Sequence, residues 1–478
     1  MIPVRRLTEL DDRALDRLLA RGRLGDPDVE RTVAALVDDV RRLGDVALRA
    51  QTERLDGVLL DAFEVPSSAW TDAAAGLDPA LLNALDTAAA SIRRFHVAQR
   101  PEPLEIEAAP GLVLGRRPDP LRRVGVYAPG GRAAYPSSVL MGVVPARVAG
   151  VDEVVVCSPP GPDGRPSALV MAACAVAGAD RLFALGGASA VAAMAYGTET
   201  VPRVDRIVGP GNAYVTEAKR QVTAAVAIDS PAGPSEVLVI ADGSADPETV
   251  AVELIAQAEH DPDAAAVLVA TDPGLARATA ESLLRRVAGT PRREIVEAAL
   301  ETAGALLVAE SAADAVAFAE RYAPEHLLLL VADPRALLAD VRAAGTVFLG
   351  PRSSVAFGDY ATGANHVLPT GGLARSYSGL SVDDFVRWTT WQEVGTDQAA
   401  ERLADVAGPL AEAEGLPGHA AAAERAASAS EAGGPVDPDA EADPTRAAGS
   451  DRTAPRPRAP YRTMKAYDPE RPPPELDL

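Results

Sequence analysis

The sequence predicts an α/β protein made of two doubly wound parallel-sheet domains, with helical extensions at both ends. Three observations carry this expectation. Short apolar runs alternate with alanine-rich helical stretches, each run closes in a Gly- or Pro-containing turn, and the alternation occurs twice. Strand, turn and helix in that order imply a parallel sheet with helices on both faces.

Taken in order, Leu15, Leu18 and Leu19 mark an amphipathic helix, and Val33, Leu36, Val37 and Val40 mark another. The region to about Arg100 reads as helical, until Pro101 and Pro103 break the pattern. Val124-Gly125-Val126-Tyr127 is a short strand ending in Ala128-Pro129-Gly130-Gly131. Val154–Cys157 is a second strand, followed by a helix over Ala168–Gly178, the strand Arg181–Leu185 and the turn Gly186-Gly187. The second half opens with the strand Glu236–Ile240. Asp246-Pro247-Glu248 then starts a helix that carries Leu254 to His260. Ala265–Val269 is the next strand, and further pairs run to Thr346–Leu349. From Ser381 the chain is expected to be helical again, ending near Arg425. Ala, Ser, Gly, Pro and Asp then dominate from about Ala426 to Arg458, which predicts disorder. The last stretch, Tyr461–Leu478, reads as an unstructured tail.

At 478 residues the chain can bury a large core and hold more than one domain. A formal net charge of −22 argues against nucleic acid or an anionic membrane as partner, because both attract basic surfaces. The two cysteines, Cys157 and Cys174, make neither a metal-binding pair nor a disulfide framework. They read as buried thiols in a reducing compartment; a catalytic cysteine is the sharper alternative. No secretory h-region opens the chain and no apolar run is long enough to span a membrane, so a cytoplasmic location is expected.

Four of the five histidines sit in short acidic or amide-rich clusters. His260 lies in Gln257-Ala258-Glu259-His260-Asp261, and His326 follows Glu325. His366 comes shortly after Gly358-Asp359-Tyr360, and His419 closes Glu414-Gly415-Leu416-Pro417-Gly418-His419. His96 alone lacks such company. Together the clusters suggest one folded site holding a metal and a general base. Gln257 and His260, three apart on a predicted helix, would face the same way. Asp359 is expected in a turn, and His419 just after a helical segment. A Gln/His/Asp/His set would give zinc one anionic and three neutral ligands, leaving strong Lewis acidity. Glu325 beside His326 offers two acid–base groups of different proton affinity at a loop-to-strand edge. Taken singly, each has a plain structural alternative: a satisfied histidine, an Asx-turn at Asp359, a helix cap at His419, a helix-start glutamate at Glu325. The glycine turns Pro129-Gly130-Gly131, Gly186-Gly187, Gly209-Pro210-Gly211-Asn212 and Ala232-Gly233-Pro234-Ser235 allow close backbone approach to a ligand. No Gly-x-Gly-x-x-Gly follows a strand, so the residues alone leave a dinucleotide open.

In their order along the chain, these motifs resemble those of the histidinol dehydrogenase family. The match is carried by Tyr127–Gly131, Tyr135–Val139, Val208–Val215, Glu217-Ala218-Lys219, Ile228-Asp229, Ala232–Glu236, Gln257–Asp261, Pro324–Leu327, Gly358-Asp359-Tyr360, Asn365–Thr370 and Ser378-Gly379-Leu380. It runs from about Val4 to about Arg425. The resemblance implies two incomplete Rossmann-like, aldehyde-dehydrogenase-like domains. On that reading residues 1–22 form an N-terminal arm, 23–123 with 236–380 a catalytic zinc domain, and 124–235 an NAD-binding domain. Residues 381–425 would be a helical dimerisation segment and 426–478 a tail.

The resemblance further implies zinc-dependent, NAD-linked, four-electron oxidation of L-histidinol to L-histidine through L-histidinal, the last step of histidine biosynthesis. It assigns Gln257, His260, Asp359 and His419 to one Zn2+ per subunit, holding the substrate's amino and imidazole nitrogens. His326 becomes the base for alcohol oxidation, and Glu325 activates the water that adds to the aldehyde. Ser235 and Glu414 take substrate-contacting positions, with His366 in the same region. Tyr127, Asn212 and the position of Ser189 are dinucleotide contacts. Glu414 and His419 would complete the site of a partner subunit in a homodimer. One departure matters: the family usually carries glutamine where this chain has Ser189, which predicts weaker NAD+ binding. Three rival readings are a paralogue acting on another small polar alcohol, a zinc-binding scaffold without catalysis, and an aldehyde dehydrogenase with a cysteine nucleophile.

Overall fold

The computed structural model describes residues 2–21, 26–130 and 134–428. The tail expectations over 429–478 lie outside the described residues. The strands, in chain order, are β1 (Val4–Arg6), β2 (Leu104–Ala109), β3 (Leu112–Pro120), β4 (Arg123–Tyr127), β5 (Glu153–Ser158), β6 (Arg181–Ala184) and β7 (Arg206–Val208). They continue with β8 (Ala227–Ile228), β9 (Glu236–Ala241), β10 (Ala265–Ala270), β11 (Ala305–Val308), β12 (His326–Leu330), β13 (Thr346–Leu349) and β14 (Val386–Val394).

Two parallel sheets repeat one topology. The five-stranded sheet has the order β6-β5-β4-β7-β8, and all its pairs are parallel. The six-stranded sheet has the order β1-β11-β10-β9-β12-β13, also wholly parallel. In each, the first strand of the half lies centrally, the next two run to one side and the last two to the other. β1 adds an edge strand to the six-stranded sheet. This is the doubly wound arrangement, with a switch point between β4 and β7 in one sheet and between β9 and β12 in the other. The central strands are buried along their whole length: β9 and β10 expose no residue. Such strands read as continuous apolar runs because helices cover both faces.

Helix ends follow local chemistry. Pro247–Ala258 starts at Asp246, whose side chain accepts from the backbone N–H groups of Glu248 and Thr249, with Pro247 in the first turn. Ala213–Gln221 is capped by Asn212 in the same way. The helices between Pro27 and Val97 bury Val33, Leu36, Val37, Val40, Leu85 and Ile92 in the core of the five-stranded sheet. The sequence reading groups them instead with residues 236–380.

The described residues divide into two compact units, one within 2–108 and 113–393 and one within 109–112 and 394–428. The second unit contains helices Asp397–Ala413 and Pro417–Ala427, the first capped by Thr396. Leu403, Val406 and Leu410 form an exposed apolar stripe on the first of these helices.

Several local expectations change. The segment after Ser381 is not helical at once, because Val386–Val394 forms β14, in a three-stranded sheet ordered β14-β3-β2. The helix carrying Gln257 ends at Ala258, so His260 lies beyond its C-cap, Glu259. Asp359 stands on a short helix, Val355–Tyr360, not in a turn. His419 follows helix Asp397–Ala413, as expected, but stands in the first turn of a further helix, Pro417–Ala427.

Candidate active site

β12 begins at His326 and lies beside β9, which begins at Glu236. Glu325 and His326 therefore stand at the N-terminal edge of the six-stranded sheet, next to Ser235 and Glu236. Both are buried. The Glu325 carboxylate accepts from Ser235 Oγ at 2.7 Å and from the Glu236 N–H at 2.8 Å. The Glu325 N–H donates back to the Glu236 carboxylate at 3.1 Å. Burial pushes the Glu325 carboxyl up to about 7, against the pull of His326 and these hydrogen bonds.

His326 Nδ1 lies 3.0 Å from the Glu236 carbonyl oxygen and 3.4 Å from Glu325 Oε2. A carbonyl can only accept, so this bond holds the proton on Nδ1 and leaves Nε2 basic. Nε2 lies 3.9 Å from Asp359 Oδ1. The Asp359 carbonyl in turn accepts from His366 Nδ1 at 2.9 Å. Burial lowers the pKa of both His260 and His366, while Asp359 opposes the shift at each. Neutral imidazoles result, the form that binds a metal. The first unit thus brings together His260, His326, Asp359 and His366, which the chain spreads over more than a hundred residues.

Tyr127, Pro210, Asn212, Ser235, His260 and Glu325 all line one cavity of about 1510 Å³. Its other wall is the carboxyl end of β4 and β7, the switch point of the five-stranded sheet, where doubly wound proteins take ligands. Gly209 bends the chain here with φ +114, and a Cβ on it would fall 2.2 Å from the Tyr127 carbonyl oxygen. Only glycine allows that approach. Lys219 Nζ donates to the Gly209 carbonyl at 3.0 Å and pairs with Asp229, whose carboxylate accepts from the Gly209 N–H at 2.8 Å. The buried pair ties down the turn that ends in Asn212. Asn212 uses its side-chain oxygen as a helix cap. The Tyr127 hydroxyl accepts from the Gly187 N–H at 3.1 Å, and burial pushes its pKa up to about 12.

Ser189 is buried, and its hydroxyl donates to Gln51 Oε1. Glu414 and His419 stand exposed on the second unit. Cys157 and Cys174 are both fully buried, and burial raises both thiol pKa values, Cys157 to about 12. Neither thiol is a nucleophile in that state. His96, fully buried, donates from Nδ1 to the Ile92 carbonyl at 2.8 Å, a structural role.

Among the described residues no group of three or more His, Cys, Asp and Glu is placed to hold a metal by itself. The expected set contributes only His260 and Asp359 of those types from the first unit, with Gln257 as an amide. Gln257 is buried, and its Nε2 has no hydrogen-bond partner. An unpaired buried amide costs free energy unless something else engages it. Amide O and N are interchangeable by a flip, so the orphaned position fits a metal-facing oxygen. The donors therefore suit a metal that also takes ligands from outside this set.

Sequence reasoning gave no role to Glu236 or to Lys219 and Asp229. A glutamate opening the apolar run Val237–Ile240 was the available signal, since a fully buried carboxylate needs a partner.

A doubly wound protein with a buried acid–base pair, whose glutamate lines a switch-point cleft, is the class that fold and site define. The family model for histidinol dehydrogenase matches residues 19–426. Histidinol dehydrogenase from Methanosarcina barkeri is 48% identical over 421 residues, covering 88% of this chain and 96% of that one. The protein of the same name from Natronomonas pharaonis is 51% identical over 397 residues, covering 83% and 93%. The crystal structure of histidinol dehydrogenase from Elizabethkingia anophelis superposes with a TM-score of 0.83 at 36% identity, covering 89% and 97%. The chain belongs to the histidinol dehydrogenase family.

Proposed function

We propose that this chain oxidises L-histidinol to L-histidine through L-histidinal, using two NAD+ in turn. The observation that carries the reading is Glu325, at one wall of a cleft whose other wall is a doubly wound switch point, with His326 buried beside it.

His326 acts first. Its Nε2, the ring nitrogen left free in the tautomer that the Glu236 carbonyl selects, would take the alcohol proton, and bound NAD+ would supply the hydride acceptor. Glu325 acts in the second half. Its carboxylate, held by Ser235 and the Glu236 N–H, takes a proton from the water that adds to the aldehyde. His326, after passing its first proton to solvent, would then take the hydrate's hydroxyl proton, and a second NAD+ would supply the hydride acceptor. Ser235 holds Glu325 in place and lines the substrate cleft. Tyr127 and Asn212 line the side of the cleft where the dinucleotide would bind.

Gln257, His260 and Asp359, with His419 from a partner subunit, would hold Zn2+. Bound there, zinc would fix the substrate's nitrogens and polarise its alcohol oxygen. Exposure of Glu414 and His419 and the apolar stripe at Leu403, Val406 and Leu410 support a homodimer that completes each site in trans. No helix among the described residues is long and apolar enough to cross a membrane.

Chelator treatment followed by zinc addition tests the metal. NADH production from histidinol should vanish and return. Activity that survives exhaustive chelation would remove zinc from the account. Equal turnover of simple diols would favour a paralogue's substrate.

A further inference from the structure

We propose that Arg21 and Glu236 form a positioning pair that holds Glu325 and His326 in their working geometry, an inference that rests on the roles given above to Glu325 and His326. Glu236 touches both residues through three separate groups. Its N–H donates to the Glu325 carboxylate at 2.8 Å, its carboxylate accepts from the Glu325 N–H at 3.1 Å, and its carbonyl accepts from His326 Nδ1 at 3.0 Å. Arg21 grips that carboxylate side-on with two donors of the guanidinium, Nε and Nη2, each at 2.8 Å. The pair is almost fully buried, with side chains 6% and 1% exposed.

Arg21 also holds the segment that leads into the pair. Its Nη2 donates to the Tyr322 carbonyl at 2.7 Å, and its guanidinium lies 3.3 Å over the Tyr322 ring. The next residue, Ala323, is the only non-glycine among the described residues with positive φ, at 48°. That bend turns the chain into Pro324, Glu325 and His326. One guanidinium thus bridges the start of β9 and the entry to β12, across 215 positions of sequence.

A buried ion pair is a poor stabiliser, because desolvating two charges offsets most of their attraction. Apolar side chains would fill the same space at little cost. The planar fork of arginine instead fixes direction, and lysine cannot reproduce it. Placing a base within reach of its proton demands such direction.

The test uses the full chain with Arg21→Met, Arg21→Lys and Glu236→Gln. For folded variants, kcat for histidinol should fall about 10²-fold for Arg21→Met, with both KM values within roughly threefold. Arg21→Lys should recover part of that loss, because the charge returns without the fork. A second readout needs no turnover: the ¹⁵N spectrum of the histidines should show His326 as the Nδ1–H tautomer in the parent and as a mixture in Arg21→Met. Failure of the parent to oxidise histidinol would count against the proposed reaction, while the tautomer readout would still decide the positioning role. Should Arg21→Met not fold, Glu236→Gln, which keeps the volume, carries both readouts. Folded variants with parental kcat and an unchanged His326 tautomer, whatever their thermal midpoint, overturn the proposal.

Discussion

At the scale of the residue, Glu325 carries the clearest prediction. Its carboxyl is pushed from 4.5 to about 7 by burial, so it holds its proton through mildly acidic pH. A base must first lose that proton, so aldehyde oxidation should rise with pH through about 7. Glu325→Gln should remove that limb and slow the aldehyde step about 10²–10⁴-fold. The same shift acts on stability. The native state keeps the proton up to a higher pH than the unfolded chain, so stability should decline as pH rises from 4.5 to about 7. Glu325→Gln should flatten that decline in thermal melts; an unchanged slope would contradict the burial argument. The cysteines give the opposite kind of prediction. With thiol pKa values raised by burial, Cys157→Ala and Cys174→Ala should each leave kcat within about twofold. Abolished activity would revive a cysteine nucleophile.

Elements were legible in proportion to how strongly burial shaped their sequence. β4, β5, β9 and β10 are covered on both faces and read as plain apolar runs. β14 is only partly buried, so Val386–Val394 alternates Trp388 and Trp391 with polar residues and escaped recognition. Of the site, the clustered histidines with Glu325 and Asp359 were visible as types and spacings. The helix end before His260 was not, because nothing at Ala258 or Glu259 stops a helix by itself. Arg21 was invisible: its partner lies 215 positions away and only the fold joins them. Ser189 shows the same limit. The family resemblance makes it a shortened dinucleotide contact, whereas on helix Gly187–Tyr196 its hydroxyl donates to Gln51 in the core. Ser189→Gln must displace Gln51, and overpacking should lower stability by about 1–3 kcal/mol. An unchanged melting temperature together with tighter NAD+ binding would place residue 189 at the cofactor instead.

For the whole molecule, the claim is that a catalytic pair on one chain works with ligands from another. Mixing two variants that are each defective in forming histidine tests this directly, with histidine formation as the activity read. A heterodimer of Glu325→Gln with His419→Ala contains one site with Glu325 and the partner's intact histidine. Random exchange of subunits should therefore restore about one quarter of parental activity. No restoration, with exchange verified, would place His419 in the site of its own chain, and a fully active His419→Ala would place it outside any site. Charge on the exposed stripe, as in Val406→Asp with Leu410→Asp, should dissociate the proposed dimer and silence both sites together.

The central claim is that one site performs both oxidations, His326 serving each and Glu325 only the second. The direct measurement is the yield of NADH per histidinol at completion, with NAD+ in excess. Two NADH per histidinol, with no free aldehyde trapped, is the predicted result, and Glu325→Gln should lower the yield toward one. A yield of one from the parent protein, with aldehyde accumulating in solution, would contradict the account.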